Sequence, residues 1–114
     1  MGFTLPPERR LRRRAEFQRV FDAGRRAHGR YLTVVASSSP GQTTRLGIVA
    51  SRKIGGAVSR NRAKRLIREV FRNEIPPAGC DLVVIPKHAL VEAKVTDVAR
   101  DYQATLKRLG LSNS

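Results

Sequence analysis

The stretch of sequence that decides the fold is residues 45–86, RLGIVASRKIGGAVSRNRAKRLIREVFRNEIPPAGCDLVVIP. Its two ends, RLGIVAS at 45–51 and DLVVIP at 81–86, are short and apolar, which predicts two strands. The apolar residues between them recur at three- and four-residue spacing, which predicts a helix capped by Ser59. They are Ala63, Leu66, Ile67, Val70 and Phe71. The stretch therefore predicts a strand–helix–strand unit.

Two further helices flank this unit. Residues 13–23 place Phe17 and Phe21 one helical turn apart, and a glycine follows. A last helix is expected to start with Thr96 as its cap and to end at Gly110. Its core face would be Val98, Ala99, Tyr102, Leu106 and Leu109.

The remaining strands precede the central unit. Residues 30–38, RYLTVVASS, predict a strand, and the turn that follows makes it the hairpin partner of residues 45–51. A short additional strand is expected near Ala27. The order α-β-β-(β)-α-β-α predicts a single-domain α+β sandwich whose helices lie on one face of a small mixed sheet.

Length and composition restrict the class of protein. The 114 residues allow one domain, spanning 1–114, in which we expect residues 1–8 and 111–114 to be flexible. Apolar runs are too short to cross a bilayer, and no apolar segment follows the basic N-terminus as in a secretory signal. Cys80 is the only cysteine, which suits a reducing compartment. We therefore expect a cytoplasmic protein without a membrane partner.

The charge is strongly positive and unevenly distributed. The chain has 23 Lys and Arg against 9 Asp and Glu, a formal charge of +14. Residues 1–72 carry 18 basic and 4 acidic side chains, whereas residues 73–114 carry 5 of each. Arginine, which binds phosphate through a planar fork and stacks on bases, supplies 18 of the basic residues. A nucleic acid is therefore the expected partner, with an anionic membrane surface as the weaker alternative.

The central helix carries most of this positive charge on one side. Its apolar stripe leaves a face on which Asn61, Lys64, Arg65, Arg68 and Arg72 gather. Arg60 and Arg62 lie at the two boundaries, and Arg52 and Lys53 precede the helix. Solvated helix faces usually mix charges, but residues 51–72 hold eight basic side chains and only Glu69 as an acid. This imbalance favours anion binding over a merely solvated face.

The sequence shows no catalytic or metal-binding constellation. His28 and His88 are isolated, and Cys80 has no partner at metal-site spacing. Glu16 and Asp22 are expected to pair with charges on their own helix. The chain therefore predicts binding without a catalytic group of its own.

Several segments resemble one known family. Residues 57–69, AVSRNRAKRLIRE, are similar to the signature of the bacterial ribonuclease P protein component. GIVASRK at 47–53, EFQRVF at 16–21 and DLVVI at 81–85 also fit that family. The resemblance extends over roughly residues 8–110.

The resemblance implies a function and partners. The family's enzyme is a ribonucleoprotein endonuclease, a hydrolase that removes the 5′ leader of precursor tRNA. Its catalyst is an RNA that uses Mg²⁺, and the protein is an accessory subunit that binds both this RNA and the precursor tRNA. The implied Mg²⁺ is held mainly by the RNA, and the protein is expected to be monomeric outside the ribonucleoprotein. The implied fold is ribosomal protein S5 domain 2-like, with a left-handed βαβ crossover.

The resemblance also implies two sets of site residues. The surface for the catalytic RNA would consist of Arg52, Lys53, Arg60, Asn61, Arg62, Lys64, Arg65, Arg68 and Arg72. The single-stranded leader would lie in a cleft beside Phe17 and Phe21, with Tyr31 as a further aromatic contact. Some family members place an aromatic residue in the middle of the first long strand, where we assign Val34 to this chain.

Alternatives remain for both the function and the two phenylalanines. A non-catalytic RNA-binding protein such as a ribosomal component has a similar combination of sheet and basic helix, and a basic DNA-binding module is a weaker possibility. Phe17 and Phe21 at this spacing would by themselves be plain core residues. With the resemblance, we expect them to pack on the sheet while an edge stays open to bases.

Overall fold

The computed structural model describes residues 5–39, 41, 43–76 and 79–111, which form three α-helices and four strands. The helices are α1 (Arg14–Ala23), α2 (Ala57–Asn73) and α3 (Val95–Arg108). The strands are β1 (Arg25–His28), β2 (Leu32–Ser38), β3 (Arg45–Ile48) and β4 (Cys80–Pro86). Short 3-10 turns occupy Pro7–Arg9, Arg52–Ile54 and His88–Glu92. The predicted α+β class, the strand near Ala27 and the three helices are confirmed.

The strand order in the sheet is β1-β2-β4-β3. β4 is antiparallel to β2 and parallel to β3, with Leu82 opposite both Ala36 and Leu46. The predicted hairpin between β2 and β3 is therefore wrong, since β4 lies between them. The reason is burial: Leu82, Val83 and Val84 are all fully buried, and a continuous apolar strand is stable only where both faces and both edges are covered.

The helices lie on both faces of the sheet, so the expectation of a single covered face is wrong. Val34 and Val84 face the larger core, which α2 and α3 complete with Ile67, Phe71 and Tyr102. The alternate residues of the same strands face α1 and pack in a second, smaller cluster around Val20. Successive strand residues point to opposite faces, so fully apolar strands need helices on both sides.

The N-terminal segment covers the outer edge of β3. Leu5 and Leu11 are buried, and Arg10 forms a parallel bridge with Leu46. The backbone N–H of Leu11 also donates to the carbonyl of Leu46 at 2.9 Å. Leu5 and Leu11 thereby attach the N-terminal segment to the fold, and the flexibility expected for residues 1–8 stays a prediction. Residues 1–4 and 112–114 of the predicted flexible ends lie outside the described residues.

The helix starts differ slightly from the predicted caps. α2 begins at Ala57 with Gly56 as its N-cap, two residues before Ser59. α3 begins at Val95 after Lys94, rather than after a Thr96 cap. Gly110 follows α3 at a positive φ of 75°, as a helix-ending glycine does. β3, α2 and β4 form the expected parallel strand–helix–strand unit, while its left-handed crossover stays a prediction.

Candidate nucleic-acid interface

The basic helix has the two-sided character that its sequence predicts. Ala63, Ile67, Val70 and Phe71 are buried against the sheet and α3. On the other side Asn61, Arg65 and Arg72 are exposed, and Lys64 and Arg68 are partly exposed. Lys64, Arg65 and Arg68 take part in none of the salt bridges found among the described residues. These three cations are therefore available to an anionic partner.

The residues at the margins of this face are held by the fold. Arg62 donates from Nε to the carbonyl of Val91 at 2.7 Å, which draws its side chain towards the turn before α3. Arg52 and Lys53 are exposed on the 3-10 turn that precedes α2. The hydroxyl of Ser51 accepts the Lys53 backbone N–H at 3.3 Å, which fixes the start of that turn. The structure thus places the predicted RNA-binding residues along one helix and the turn leading into it.

The predicted cleft lies on the opposite face of the sheet, beside α1. Phe17 and Phe21 are half-buried and pack against Val20, Val35 and Val83. Each ring therefore has one side in the small core and part of its surface open. The Arg26 guanidinium lies 5.6 Å from the centroid of the Phe21 ring, within the range of a cation–π contact.

Gly47 makes room for the Phe17 ring. A methyl group built on Gly47 would lie 2.5 Å from Cε2 and 2.7 Å from Cζ of Phe17. Carbon atoms do not approach this closely without displacement, so any side chain at residue 47 would push the ring away. The ring position of Phe17 is therefore set by a glycine on β3.

Two assignments around the cleft need correction. Val34 faces the larger core with α2 and α3, and the β2 residue beside Phe17 and Phe21 is Val35. Tyr31 lies just before β2 and packs against the larger core, with the Arg30 guanidinium 5.4 Å from its ring centroid. The structure therefore does not bring Tyr31 together with the two phenylalanines. The strand position was assigned wrongly because register cannot be counted until the strand ends are known.

A buried carboxylate anchors α1 to the sheet, and it was not predicted from the sequence. Asp81 is fully buried and accepts hydrogen bonds from Arg45 Nε at 2.9 Å and Nη2 at 2.8 Å. Arg19 of α1 adds a third, from Nη2 at 3.0 Å. Arg45 also donates from Nη1 to Glu16 Oε2 at 2.9 Å. An acid beginning an otherwise apolar strand was the available signal, because such a charge needs a partner when buried.

Glu16 has its carboxylate stabilised in the charged form. Its Oε1 accepts the backbone N–H groups of Arg13 at 2.9 Å and Arg12 at 2.8 Å. These bonds, with the hydrogen bond and charge of Arg45, lower the pKa of Glu16 to about 2. The same network raises the pKa of Arg45, chiefly through its hydrogen bonds to Asp81. Glu16 therefore pairs with Arg45 of β3 and not, as expected from the sequence, with a charge on its own helix, while its backbone hydrogen bonds fix the start of α1.

The described residues contain neither a candidate metal site nor a candidate membrane span. Among them there is no group of three or more His, Cys, Asp or Glu side chains that could hold a metal ion. In the part of the chain that the structure describes, no helix is long and apolar enough to span a membrane.

Comparison with known proteins decides the family. A family model described as Ribonuclease P matches residues 5–110. A ribonuclease P protein component from Syntrophus aciditrophicus is 36% identical over 107 residues, covering 92% of this chain and 90% of that protein. This chain belongs to the ribonuclease P protein family. A family member from Streptomyces avermitilis is 40% identical over 117 residues, covering 92% of this chain and 94% of its own length.

The fold comparison agrees with the sequence comparison. The solved structure of the Staphylococcus aureus RNase P protein has a TM-score of 0.82 and 29% identity, and covers 92% of this chain and 98% of that one. As a ribonuclease P protein, the chain is a subunit of a ribonucleoprotein endoribonuclease that processes the 5′ end of tRNA. Within this enzyme the protein associates with the ribonuclease P RNA. The ribosomal and DNA-binding alternatives are not favoured.

Proposed function

We propose that this subunit contacts the ribonuclease P RNA through α2 and holds the 5′ leader of precursor tRNA in the cleft beside α1. The ribonuclease P RNA would then cleave the leader from a substrate positioned by both surfaces. The observation that carries this proposal is the separation of the two surfaces. Basic side chains line α2 on one side of the sheet, and half-open aromatic rings line α1 on the other.

The proposed RNA contact depends on the polar and basic residues of α2 and of the turn before it. The set is Arg52, Lys53, Arg60, Asn61, Arg62, Lys64, Arg65, Arg68 and Arg72. Basic side chains that neutralise phosphates release condensed counterions, and this release drives most of the affinity for RNA. Since the helix is fixed by its buried stripe, the cations keep a constant spacing along the RNA backbone.

The proposed leader contact depends on the open parts of Phe17 and Phe21. Stacking of a base on an aromatic side chain contributes about 1–3 kcal/mol and tolerates different base sequences. Single-stranded leaders have unstacked bases that can reach such rings, whereas a mature tRNA lacks the leader. The cleft would therefore favour the precursor over the product.

Mg²⁺ would be held mainly by the RNA, with the protein assisting by neutralising nearby phosphates. The chain itself would be monomeric outside the ribonucleoprotein, in the cytoplasm. Its own residues would bind and orient both RNAs and would supply no catalytic group.

A reconstitution assay tests the proposed role. The chain is combined with a bacterial ribonuclease P RNA and a precursor tRNA at limiting Mg²⁺. We expect the RNA alone to be slow, the chain alone to be inactive, and the combination to release the leader rapidly. Cleavage by the chain without RNA, or no stimulation of the RNA by the chain, would contradict the accessory role.

The leader contact is tested separately with Phe17→Ala and, as a matched control that keeps an apolar side chain, Phe17→Leu. We expect Phe17→Ala to reduce the affinity of the reconstituted enzyme for precursor tRNA by about tenfold, in line with the loss of one stacked base. Affinity for mature tRNA should not change. If folded Phe17→Ala keeps the full preference for the precursor, Phe17 is a core residue only.

A further inference from the structure

A groove lies between the N-terminal segment and α2, across the edge of β3. Its volume is about 210 Å³, and it is open to solvent. Arg10 and Arg12 line it from the N-terminal side, and Lys64 and Arg68 line it from α2. The aromatic ring of Phe17 reaches the same groove from α1. The groove thus joins the two surfaces that lie on opposite faces of the sheet.

The lining of the groove is suited to an anion. Four of its residues carry a positive charge, and among the described residues that line it there is no acid. Cations that line one groove repel one another, and an anion bound between them would relieve this repulsion. Two of the four are arginines of the N-terminal segment, whose guanidinium groups match the geometry of a phosphate.

Arg10 reaches the groove from the edge of the sheet. The backbone of Arg10 is fixed by its bridge to Leu46, so the side chain starts from a defined point.

Phe17 restricts the kind of anion. Its ring lies over Gly47, and both residues line the groove beside the four cations. A phosphate linked to a sugar and a base can occupy the cationic part and contact the ring, whereas an isolated inorganic ion would leave the ring unused. The lining is therefore complementary to a nucleotide unit within a strand.

We infer that this groove binds one phosphodiester of an RNA strand, clasped between Arg10 and Arg12 on one side and Lys64 and Arg68 on the other. The inference rests on the proposed RNA-binding function and adds the N-terminal segment as the second half of the interface. The phosphodiester can come from the ribonuclease P RNA or from the precursor leader, which have the same backbone chemistry.

The test uses Arg12→Ala, Lys64→Ala and the double variant, with Arg100→Ala as a matched control. Arg100 is an exposed α3 residue, and its replacement removes the same charge away from the groove. Binding of each full-length variant to the ribonuclease P RNA is measured first, without tRNA. Binding of each reconstituted enzyme to precursor and to leaderless tRNA is measured second.

We expect each single groove variant to lose about tenfold in affinity, and the Arg100→Ala control to lose much less. The double variant should lose less than the product of the single losses, because both side chains bind one phosphate. A loss in the first measurement assigns the phosphodiester to the ribonuclease P RNA. A loss confined to precursor tRNA in the second assigns it to the leader.

Two outcomes separate this inference from the proposed function. If wild-type protein binds both RNAs but the groove variants behave like Arg100→Ala in both measurements, the inference is wrong and the proposed function stands. If wild-type protein does not bind the ribonuclease P RNA, the proposed function itself fails. Arg10→Ala provides a further variant, and we expect it to weaken the same binding step. Urea unfolding of every variant confirms that the fold is retained.

Discussion

At the scale of single residues, close packing on the α1 side makes a few small or buried groups decisive. Gly47 lies under the Phe17 ring, and Asp81 is buried with two arginines against it. Both residues occur in segments whose secondary structure was predicted correctly. Their roles were not predictable, because a contact between residues 17 and 47, or between 45 and 81, depends on which strands become neighbours.

Gly47→Ala should destabilise the protein by about 1–3 kcal/mol, because the added methyl group forces the Phe17 ring out of its place. Urea unfolding at neutral pH measures this change. Gly41→Ala is the matched control, since a methyl group there meets no atom within 4 Å. Equal stabilities of the two variants would show that the ring can move without cost.

Asp81→Asn should destabilise the protein by about 1–3 kcal/mol, because it leaves Arg19 and Arg45 without their buried negative partner, although Arg45 keeps its ion pair with Glu16. Asp97→Asn removes an exposed carboxylate, 3.8 Å from Arg100, and should change stability by less than about 0.5 kcal/mol. Chemical denaturation of both variants checks the comparison. A small effect at Asp81 would mean that the two arginines reach water once the charge is lost.

At the scale of elements, helices were more predictable than strand pairs. The apolar stripes of α1, α2 and α3 are local patterns that a 3.6-residue period reveals, so their buried faces were correctly predicted. The basic face of α2 followed from the same geometry. The strand that pairs with β3 could not be predicted in this way, because adjacency in sequence favoured β2, whereas β4 comes from a distant part of the chain.

The start of α1 should respond to acid through Glu16. Its pKa is lowered in the folded state from 4.5 to about 2, so its stabilising contribution is complete above the unfolded value and is lost as the pH falls towards 2. Wild-type protein should therefore be more stable than Glu16→Gln at pH 6, and the difference should shrink below pH 4.5. Urea unfolding between pH 6 and pH 3 tests this, and a difference independent of pH would contradict it.

The exposed face of α2 should account for part of the salt dependence of RNA binding. Arg65→Ala removes an exposed cation from this face, and should reduce the slope of log affinity against log salt by up to about one unit. The measurement is a titration of the ribonuclease P RNA at several salt concentrations. An unchanged slope would remove Arg65 from the interface, provided that the variant unfolds at the wild-type urea concentration.

At the scale of the whole molecule, the class of partner was easier to predict from the charge than the arrangement of the layers was from the order of the elements. The excess of basic residues in 1–72 indicates an anionic partner whichever strands become neighbours, because charge is a property of composition. The layer arrangement was only partly predictable, since strands with two apolar faces require helices on both sides but do not specify which helix covers which face. The docking of residues 5–11 on β3 was not predictable from their basic and proline-rich composition.

The net charge of +14 should give stability and RNA binding opposite responses to salt. Raising the salt concentration from about 0.01 M to 0.1 M shortens the Debye length from about 30 Å to 10 Å, which weakens repulsion among the cations. The urea midpoint should therefore rise while the affinity for RNA falls. Urea is uncharged, so urea unfolding at each salt concentration isolates the effect of salt on stability. A urea midpoint that falls as salt is added would contradict the prediction.

The central position of β4 also affects the order in which the protein can form during its synthesis. β1 and β2 leave the ribosome early and can pair at once, but among the four described strands β3 pairs with β4, which ends at Pro86. Until Asp81 emerges, its carboxylate is not available to Arg19 and Arg45, whereas residues 1–72 already carry a net charge of +14. The growing polypeptide therefore carries the full positive charge of the protein, and can attract polyanions, before its sheet can be completed.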